Sequence, residues 1–344
     1  MRKRRNALVA TFAGLLVAVI GVIVAPSAWA APNAKANDNP GYLQVYDNNV
    51  ENLPTASLSQ CPGDWQDLVY YMRLQPYKPD VYLVQQVSNA KQLSTLTKFL
   101  SKQLGETYKG VIAEASPKKM GSPCGAKKAY QTNAIVYRAA RLDLKKHDVW
   151  QVRAENAKGE CVANSQARTK TVKGLFYDKV AKKNVTIASA HWATGKSGGP
   201  ACATGNAKTL ASKFPAGGYG ASLYIVGGDF NYGYRGSAGD WHPWYKSMNG
   251  SLDGRHNFRD VVYADCQAGS GSVKSCLKGN WTIGNGSRID FLFAKRGNGT
   301  MPKVTAAHTI TFNQGDDADK KLTGGDRTDR DYSQHRAIRA RIHY

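Results

Sequence analysis

Eight side chains capable of proton transfer or metal ligation fall at or near the ends of apolar runs in this 344-residue sequence. Asn49 and Glu51 follow LQVYD, Gln86 follows VYLV, His191 follows TIASA, and Asp229 and Asn231 follow YIVGG, while Asp290 lies within RIDF and His335 precedes AIRARIHY. Imidazoles act as general acids or bases, carboxylates as bases or ligands for hard cations, and amides as hydrogen-bond donors to an anion. Taken singly each has a plain explanation, Asp229 as a turn former and His191 as a half-buried, satisfied imidazole. Several strand ends delivering such groups to one rim of a rigid scaffold are a common way to build an active site. The stretch PDVYLVQQVS (79–88) sharpens the point, because it closes an apolar strand on two consecutive amides, Gln85 and Gln86.

These residues need elements to position them. From Asp64, apolar Trp65, Leu68, Val69 and Met72 recur at helical spacing and stop before Pro76, which predicts a short amphipathic helix with Asp64 as N-cap. A second helix runs from about Asn89, with Leu93, Leu96, Leu100 and Leu104 on one face and Gly105 as its stop. Strands are expected at 133–138, 185–192, 222–228, 288–294, 304–312 and 337–344, each rich in β-formers and bounded by Gly, Asn or Asp. SLYIV is apolar on both faces and should be covered on both sides. The last strand alternates Ile338, Ala340 and Ile342 against Arg339 and Arg341, which predicts one basic face. Strands mixed with helices imply stacked sheets with helices outside.

The chain opens with Arg2 to Arg5, an apolar run from Ala7 to Val24, and Ala28-Trp29-Ala30, the layout of a secretory signal peptide cleaved after Ala30. Residues 31–40 are small and polar and read as a flexible leader, and 41–344 as a single domain without linker or repeat. The six cysteines lack any C-x-x-C spacing, which in an exported protein favours disulfides over zinc; Cys266 with Cys276 is the short-loop pair. Removing the four basic residues of the signal segment from a formal charge of +22 leaves +18. Such an excess favours a polyanionic partner, nucleic acid first, although a basic surface for solubility or for an acidic cell wall has the same composition. TGKSGG (194–199) is no phosphate-cradling loop, because Ala190 stands where that motif needs glycine.

NNVENL, PDVYLVQQV, AHW, GGDFN, RIDF and YSQHRAIRARI, in this order from about Val45 to Tyr344, resemble the motifs of the DNase I-like endonuclease/exonuclease/phosphatase superfamily. GGDFN and RIDF match directly, whereas the others resemble the family's Asn with a nearby acid, its Leu-Gln-Glu-Val, its Thr-His-Leu and its Ser-Asp-His. The resemblance implies an α/β four-layer sandwich, two packed mixed β-sheets flanked by helices, that hydrolyses phosphodiesters with a divalent ion. Carried over, Asp229 orients or deprotonates the attacking water, Asn231 and Asn49 hold the phosphate or that water, and His335 faces the phosphate with its tautomer set by Asp290. His191 becomes the candidate general acid, although spacing does not say which histidine is acid and which is base. Glu51, Gln86, Asp229 and Gln334 form the implied metal set for Mg2+ or Mn2+, with Ca2+ as a further option. Arg138 and Arg288 join Asn49 as substrate-binding candidates.

Two departures share a direction. Gln86 stands where the family has its metal-ligating Glu, and Gln334 where it has the Asp of Ser-Asp-His. A unit charge at about 4 Å in an effective dielectric near 20 is worth roughly 4 kcal/mol, so two lost charges weaken a metal by orders of magnitude unless compensated. Glu51 with Asp229 could carry the ion, or the acidic run Asp326, Asp329 and Asp331 could supply a ligand, or the site could be silent. The expectation is an exported, monomeric nuclease acting on DNA, and on RNA as a second substrate, without stable membrane association. The alternatives are a silent nucleic-acid or cell-surface binder on the same fold and a sphingomyelinase-like phosphodiesterase. Trp241, Trp244 and Tyr245 of GDWHPWYKS could stack on bases, rest on a membrane or pack a loop, and Lys118, Lys119, Lys127 and Lys128 could grip phosphates.

Overall fold

The computed structural model describes residues 34–51, 65–119, 129–163, 170–193, 200–235, 239–251, 257–284, 286–311 and 333–344. Expectations for the signal segment, Cys61, Asp64, Cys124, Lys127, Lys128, residues 194–199, and Asp326, Asp329 and Asp331 lie outside the described residues.

Alternating apolar residues on short β-rich runs build two six-stranded sheets. The first has the order β13 (Val304–Thr309), β14 (Ile338–His343), β1 (Tyr42–Asn49), β2 (Val81–Val87), β4 (Thr132–Arg138), β3 (Tyr108–Ile112). The second runs β11 (Arg259–Asp260), β12 (Asp290–Arg296), β10 (Leu223–Asp229), β9 (Lys183–His191), β8 (Lys170–Asp178), β5 (Leu142–Gln151). Each sheet is mixed, with one central parallel pair, β1 with β2 and β9 with β10, among antiparallel neighbours. Leu43, Val45, Val81, Leu83 and Ile135 of the first sheet meet Val185, Ile187, Ile225 and Leu292 of the second in a common core. β6 (Arg153–Glu155) and β7 (Cys161–Ala163) form a separate ribbon, tied to helix α3 (Pro200–Lys213) by the disulfide Cys161–Cys202.

Helices cover the outer faces. α1 (Trp65–Leu74) and α2 (Ala90–Leu104) bury Leu68, Val69, Leu96 and Leu100 against Tyr82, Val84 and Val136. α2 has the ends its sequence predicts: the Asn89 side chain accepts from the Gln92 amide, and Gly105 takes a left-handed cap with φ 62°. α3 and α4 (Pro243–Asn249) cover the second sheet through Ala207, Leu210, Trp244 and Met248. α5 (Val261–Ala268) and α6 (Val273–Gly279) are joined by the expected disulfide Cys266–Cys276, and α5 packs near β13. β10 is buried along its whole length, as a strand apolar on both faces should be.

Two expectations are corrected. The leader is anchored from Ala34 onward, where the Ala34 and Lys35 amides donate to the Arg73 and Pro76 carbonyls. Asn37 is fully buried and donates to Asp80 at 2.6 Å, so a stretch that reads as polar linker is a strap held by a buried acid. The basic face of β14 is covered as well: Arg339 is 6% exposed and donates to Tyr71 and Gln75 of the α1 region.

Under the strap, at the end of the sandwich where β2 begins, sits a buried ionic network. Asp80 accepts from Arg138 and Arg141, Arg141 also donates to Asp178 at 2.9 Å, and the Tyr344 hydroxyl donates to the same Asp178 oxygen at 2.7 Å. Asp80, Arg141 and Asp178 are each 0% exposed, and together they link the strap, the first sheet and the second.

Candidate active site

Strand register brings the predicted residues to the other end of the sandwich. On the second sheet Asp229 pairs with His191 of β9 on one side and with Asp290 of β12 on the other. On the first sheet the parallel register of β1 and β2 sets Asn49 opposite Gln85, and Glu51 follows at φ 50°. The two glycines before Asp229 are needed for close approach. A Cβ on Gly227 would lie 2.7 Å from an Asp47 oxygen, and one on Gly228 1.9 Å from the Ala190 carbonyl oxygen.

Asp229 is the hub. Its Oδ2 accepts from Asn49 Nδ2 at 3.0 Å and lies 3.5 Å from His191 Nε2 and 3.9 Å from His335 Nδ1, while its Oδ1 accepts from the Asn231 amide at 2.9 Å. His335 Nδ1 bonds Asp290 Oδ2 at 2.9 Å, which leaves Nε2 as the ring nitrogen away from that carboxylate. Asp229, Asp290 and His335 offer ligand atoms within 4.8 Å of one another. All are buried, with His191 and His335 4% and 6% exposed.

The electrostatics separate the two histidines. Burial disfavours the charged ring of His335, but Asp290, Asp229 and Glu51 outweigh it and raise its pKa to about 10, so it is an imidazolium at neutral pH. Burial, then the neighbouring Asp290, pushes Asp229 up, against the pull of His335 and His191. Three acids, Asp290, Asp229 and Glu51, thus act on one buried imidazolium.

The implied metal set is arranged differently from a three-carboxylate site. Glu51 Oε2 accepts from the Gln334 amide at 2.7 Å and from Ser333 Oγ at 3.2 Å, so Glu51 and Gln334 do meet, through backbone. Gln86 has φ 60° beside a register shift of the β2–β4 ladder, and its Oε1 accepts from Gln131 at 3.0 Å. In type the set still suits a hard divalent cation, two carboxylates, Glu51 and Asp229, with two amides, Gln86 and Gln334. They supply less charge than the family pattern implies.

Three other placements differ from expectation. Arg138 is 2% exposed in the ionic network around Asp80, at the opposite end from Asp229, so it cannot touch a substrate there. Arg288 is 4% exposed, paired with Asp260 at 3.0 Å and lying over the rings of Tyr234 and Phe291. Asn231 has φ 54° and its Nδ2 donates to the Trp192 carbonyl, so its amide holds the exit of β9. Of the uses open to GDWHPWYKS, packing is the one the structure shows for Trp244 and Tyr245, 0% and 1% exposed in the aromatic core around Phe291.

Sequence reasoning missed the floor of the site. Gln85 Nε2 donates to Asp47 Oδ1 at 2.9 Å and to Ser189 Oγ at 3.1 Å, and Ser189 Oγ donates to the Val84 carbonyl. Burial, together with Asp290 and Asp229, pushes the Asp47 carboxyl well above its usual range in spite of the Gln85 bond. The signal for Asp47 was available: it continues the inward series Leu43, Val45. Ser333 was also missed; its hydroxyl donates to the Asn49 carbonyl at 2.6 Å and so joins the two chain segments that bear Glu51 and His335.

No family model and no curated protein sequence matches this chain. Solved structures do. An endonuclease/exonuclease/phosphatase from Beutenbergia cavernae is 15% identical with a TM-score of 0.57, over 88% of this chain and 72% of that one. D. rerio TDP2 complexed with a single-strand DNA product is 16% identical with a TM-score of 0.56, over 88% and 98% of the chains. A Bacteroides thetaiotaomicron mannosyl-6-phosphatase is 14% identical with a TM-score of 0.54, over 88% and 100%. At these identities the likeness is one of fold.

Proposed function

We propose, for a chain with the endonuclease/exonuclease/phosphatase fold, an exported divalent-metal phosphodiesterase that hydrolyses DNA, and RNA as a second substrate. The observation that carries the reading is the joint placement of His191, Asn49 and Asn231 around Asp229, with the His335–Asp290 pair beside them. Asp229, raised in pKa and held by two donors, orients a water and takes its proton as the water attacks phosphorus. Asn49 keeps the Asp229 oxygen aimed. The His335 imidazolium sits where negative charge grows on a phosphate oxygen, and Asp290 fixes its ring. His191, on the far side of Asp229 Oδ2, returns a proton to the leaving oxygen. Glu51, with the amide oxygens of Gln86 and Gln334, would hold the ion, whose chemistry is Lewis-acid neutralisation of phosphate charge.

The two disulfides support an oxidising compartment, and no helix among the described residues is long and apolar enough to cross a membrane. The excess of +18 left without the four basic residues of the signal segment and the DNA product held by one neighbour favour nucleic acid, while the sugar-phosphatase neighbour keeps a small phosphate ester as the competing substrate.

The purified chain should degrade DNA in Mg2+ or Mn2+ and stop in excess chelator. Circular plasmid digested beside linear duplex then separates endonuclease from exonuclease action. A silent binder is the second reading, favoured by the engagement of Glu51 Oε2 with Gln334 and Ser333. No turnover of DNA, RNA or a sugar phosphate with any divalent ion, together with salt-sensitive DNA binding, would establish it.

Gln86→Glu restores one charge. It is expected to tighten Mn2+ binding by about tenfold to a hundredfold, or roughly 1–3 kcal/mol, read by calorimetry without substrate. Unchanged affinity would remove Gln86 from the metal.

A further inference from the structure

We propose that a cavity at the end of the sandwich opposite Asp229 is a nucleotide-binding site, its phosphate taken by Lys182, Lys183 and Arg296 and its base laid against Tyr344. The cavity is an open, solvent-facing hollow of about 690 Å³ and also includes Tyr177 and Asn298 in its wall. That volume is within the range of pockets that hold small organic ligands.

Register places it. Leu223, Val185 and Arg296 are aligned across β10, β9 and β12, six residues along from the row of Asp229, His191 and Asp290. At about 3.3 Å per residue the two sites are roughly 20 Å apart, so a single phosphate cannot occupy both.

The charge in the cavity is uncompensated. No acidic side chain lines it, and among the described residues none of its three cations has a carboxylate partner within ion-pair distance. Even a carboxylate on the end of Tyr344 would leave two positive charges in excess. Cations gathered in a concave wall bind phosphate oxygens through charge-assisted hydrogen bonds, and their mutual repulsion is relieved when they do.

The walls are fixed from behind, which separates the cavity from a merely solvated basic surface. The Tyr344 hydroxyl donates to Asp178, itself held by Arg141, so the ring cannot swing away. Lys183 Nζ lies over that ring, 5.3 Å from its centre, so a phosphate that draws the ammonium outward uncovers the aromatic face for a base. The Gly297 amide donates to the Ser222 carbonyl, and a Cβ there would lie 2.1 Å from the Ala221 carbonyl oxygen, so the opposite wall is drawn in tightly. Cationic side chains next to a pinned aromatic ring match the two halves of a nucleotide, free or as a unit of a strand.

The test is binding to the full chain in excess EDTA, where turnover plays no part and failure says nothing about the catalytic reading. Deoxyadenosine 5′-monophosphate, inorganic phosphate and a single-stranded 12-mer are the probes. The variant is Lys182→Asn with Lys183→Gln and Arg296→Gln; asparagine suits the φ of 57° at position 182, and both lysines are exposed. The parent should bind the mononucleotide at least tenfold more tightly than inorganic phosphate, and the triple variant should lose at least tenfold for the mononucleotide while melting with the parent. If the variant binds the mononucleotide as the parent does, there is no site. If inorganic phosphate binds as tightly as the nucleotide, the aromatic wall is not a base platform and the assignment is wrong. The 12-mer tells the two sources apart: its slope of log K on log salt should fall by about 2 for three lost contacts if a strand is held, and stay constant if free nucleotide is the ligand.

Discussion

Asp229→Ala is expected to lower turnover of a DNA substrate by at least a thousandfold with no comparable loss of stability. The size follows from the number of functions that meet in one carboxylate. It positions and deprotonates water, an effect typically worth 10²–10⁴, and it is the acceptor that holds Asn49 Nδ2 and faces His191. It is also one of the carboxylates that keep His335 charged, so its loss weakens the cation facing the phosphate. His191→Ala should fall nearly as far, and the double variant little further, because groups that act in one step are not additive.

The isostere Asp229→Asn refines the test. In the parent His335 stays protonated to about pH 10, so the active form persists from neutrality upward and is lost as pH rises through that value. Removing one negative neighbour lowers that pKa, and the His335 ring titration followed by NMR should move toward neutrality, while turnover falls as in Asp229→Ala. Parent-like rates for Asp229→Ala, or an unmoved His335 titration in Asp229→Asn, would remove Asp229 from the centre of the site.

Arg141→Met should destabilise the protein by about 3–5 kcal/mol, the usual consequence of removing one partner from a buried ionic group, and lower the melting temperature by roughly 10 °C. Arg141 is 0% exposed and donates to Asp80, to Asp178 and to the Asn37 and Asn39 carbonyls. Methionine fills part of the volume, but two buried carboxylates lose their shared cation and two strap carbonyls lose a donor. Asp80 keeps Arg138, whereas among the described residues Asp178 keeps only the Tyr344 hydroxyl and local amides. Urea melts of both proteins give the difference. A loss below about 1 kcal/mol would mean that water replaces the guanidinium, contrary to a dry network.

Periodicity and polar punctuation made much of this structure legible. The leucine spacing from Leu93 to Leu104 with Gly105 marks the buried face and the stop of α2, and the apolar run before Asp229 is the fully buried β10. The gathering of polar residues around Asp229 was legible for the same reason, since Asn49, His191, Asp229 and Asp290 all close or open strands and register carries them to one rim. Arginine was not legible. Arg138 and Arg288 stand at strand ends as a phosphate-binding arginine would, and what distinguishes them is an aspartate 58 or 28 residues away in the chain. The strap failed likewise: Asn37 is a linker residue by composition, and only Asp80 and two distant arginines make it structural. The long strand β5, LDLKKHDVWQ, is mostly exposed, so it lacks the apolar alternation that would announce it.

The hydrogen bonds of Gln85 and Ser189 beneath the site have a meaning beyond local stability. Two apolar sheet faces can slide past each other by a residue pair with little change in buried area, because dispersion and hydrophobic attraction are non-directional. Gln85 of the first sheet and Ser189 of the second are satisfied at one offset only, as is the bond from Ser189 to Val84. They act as a dowel between two boards. Glu51 and Asn49 ride on one board, Asp229 and Asp290 on the other, so the amide that closes VYLVQ sets the alignment on which every distance in the cluster depends.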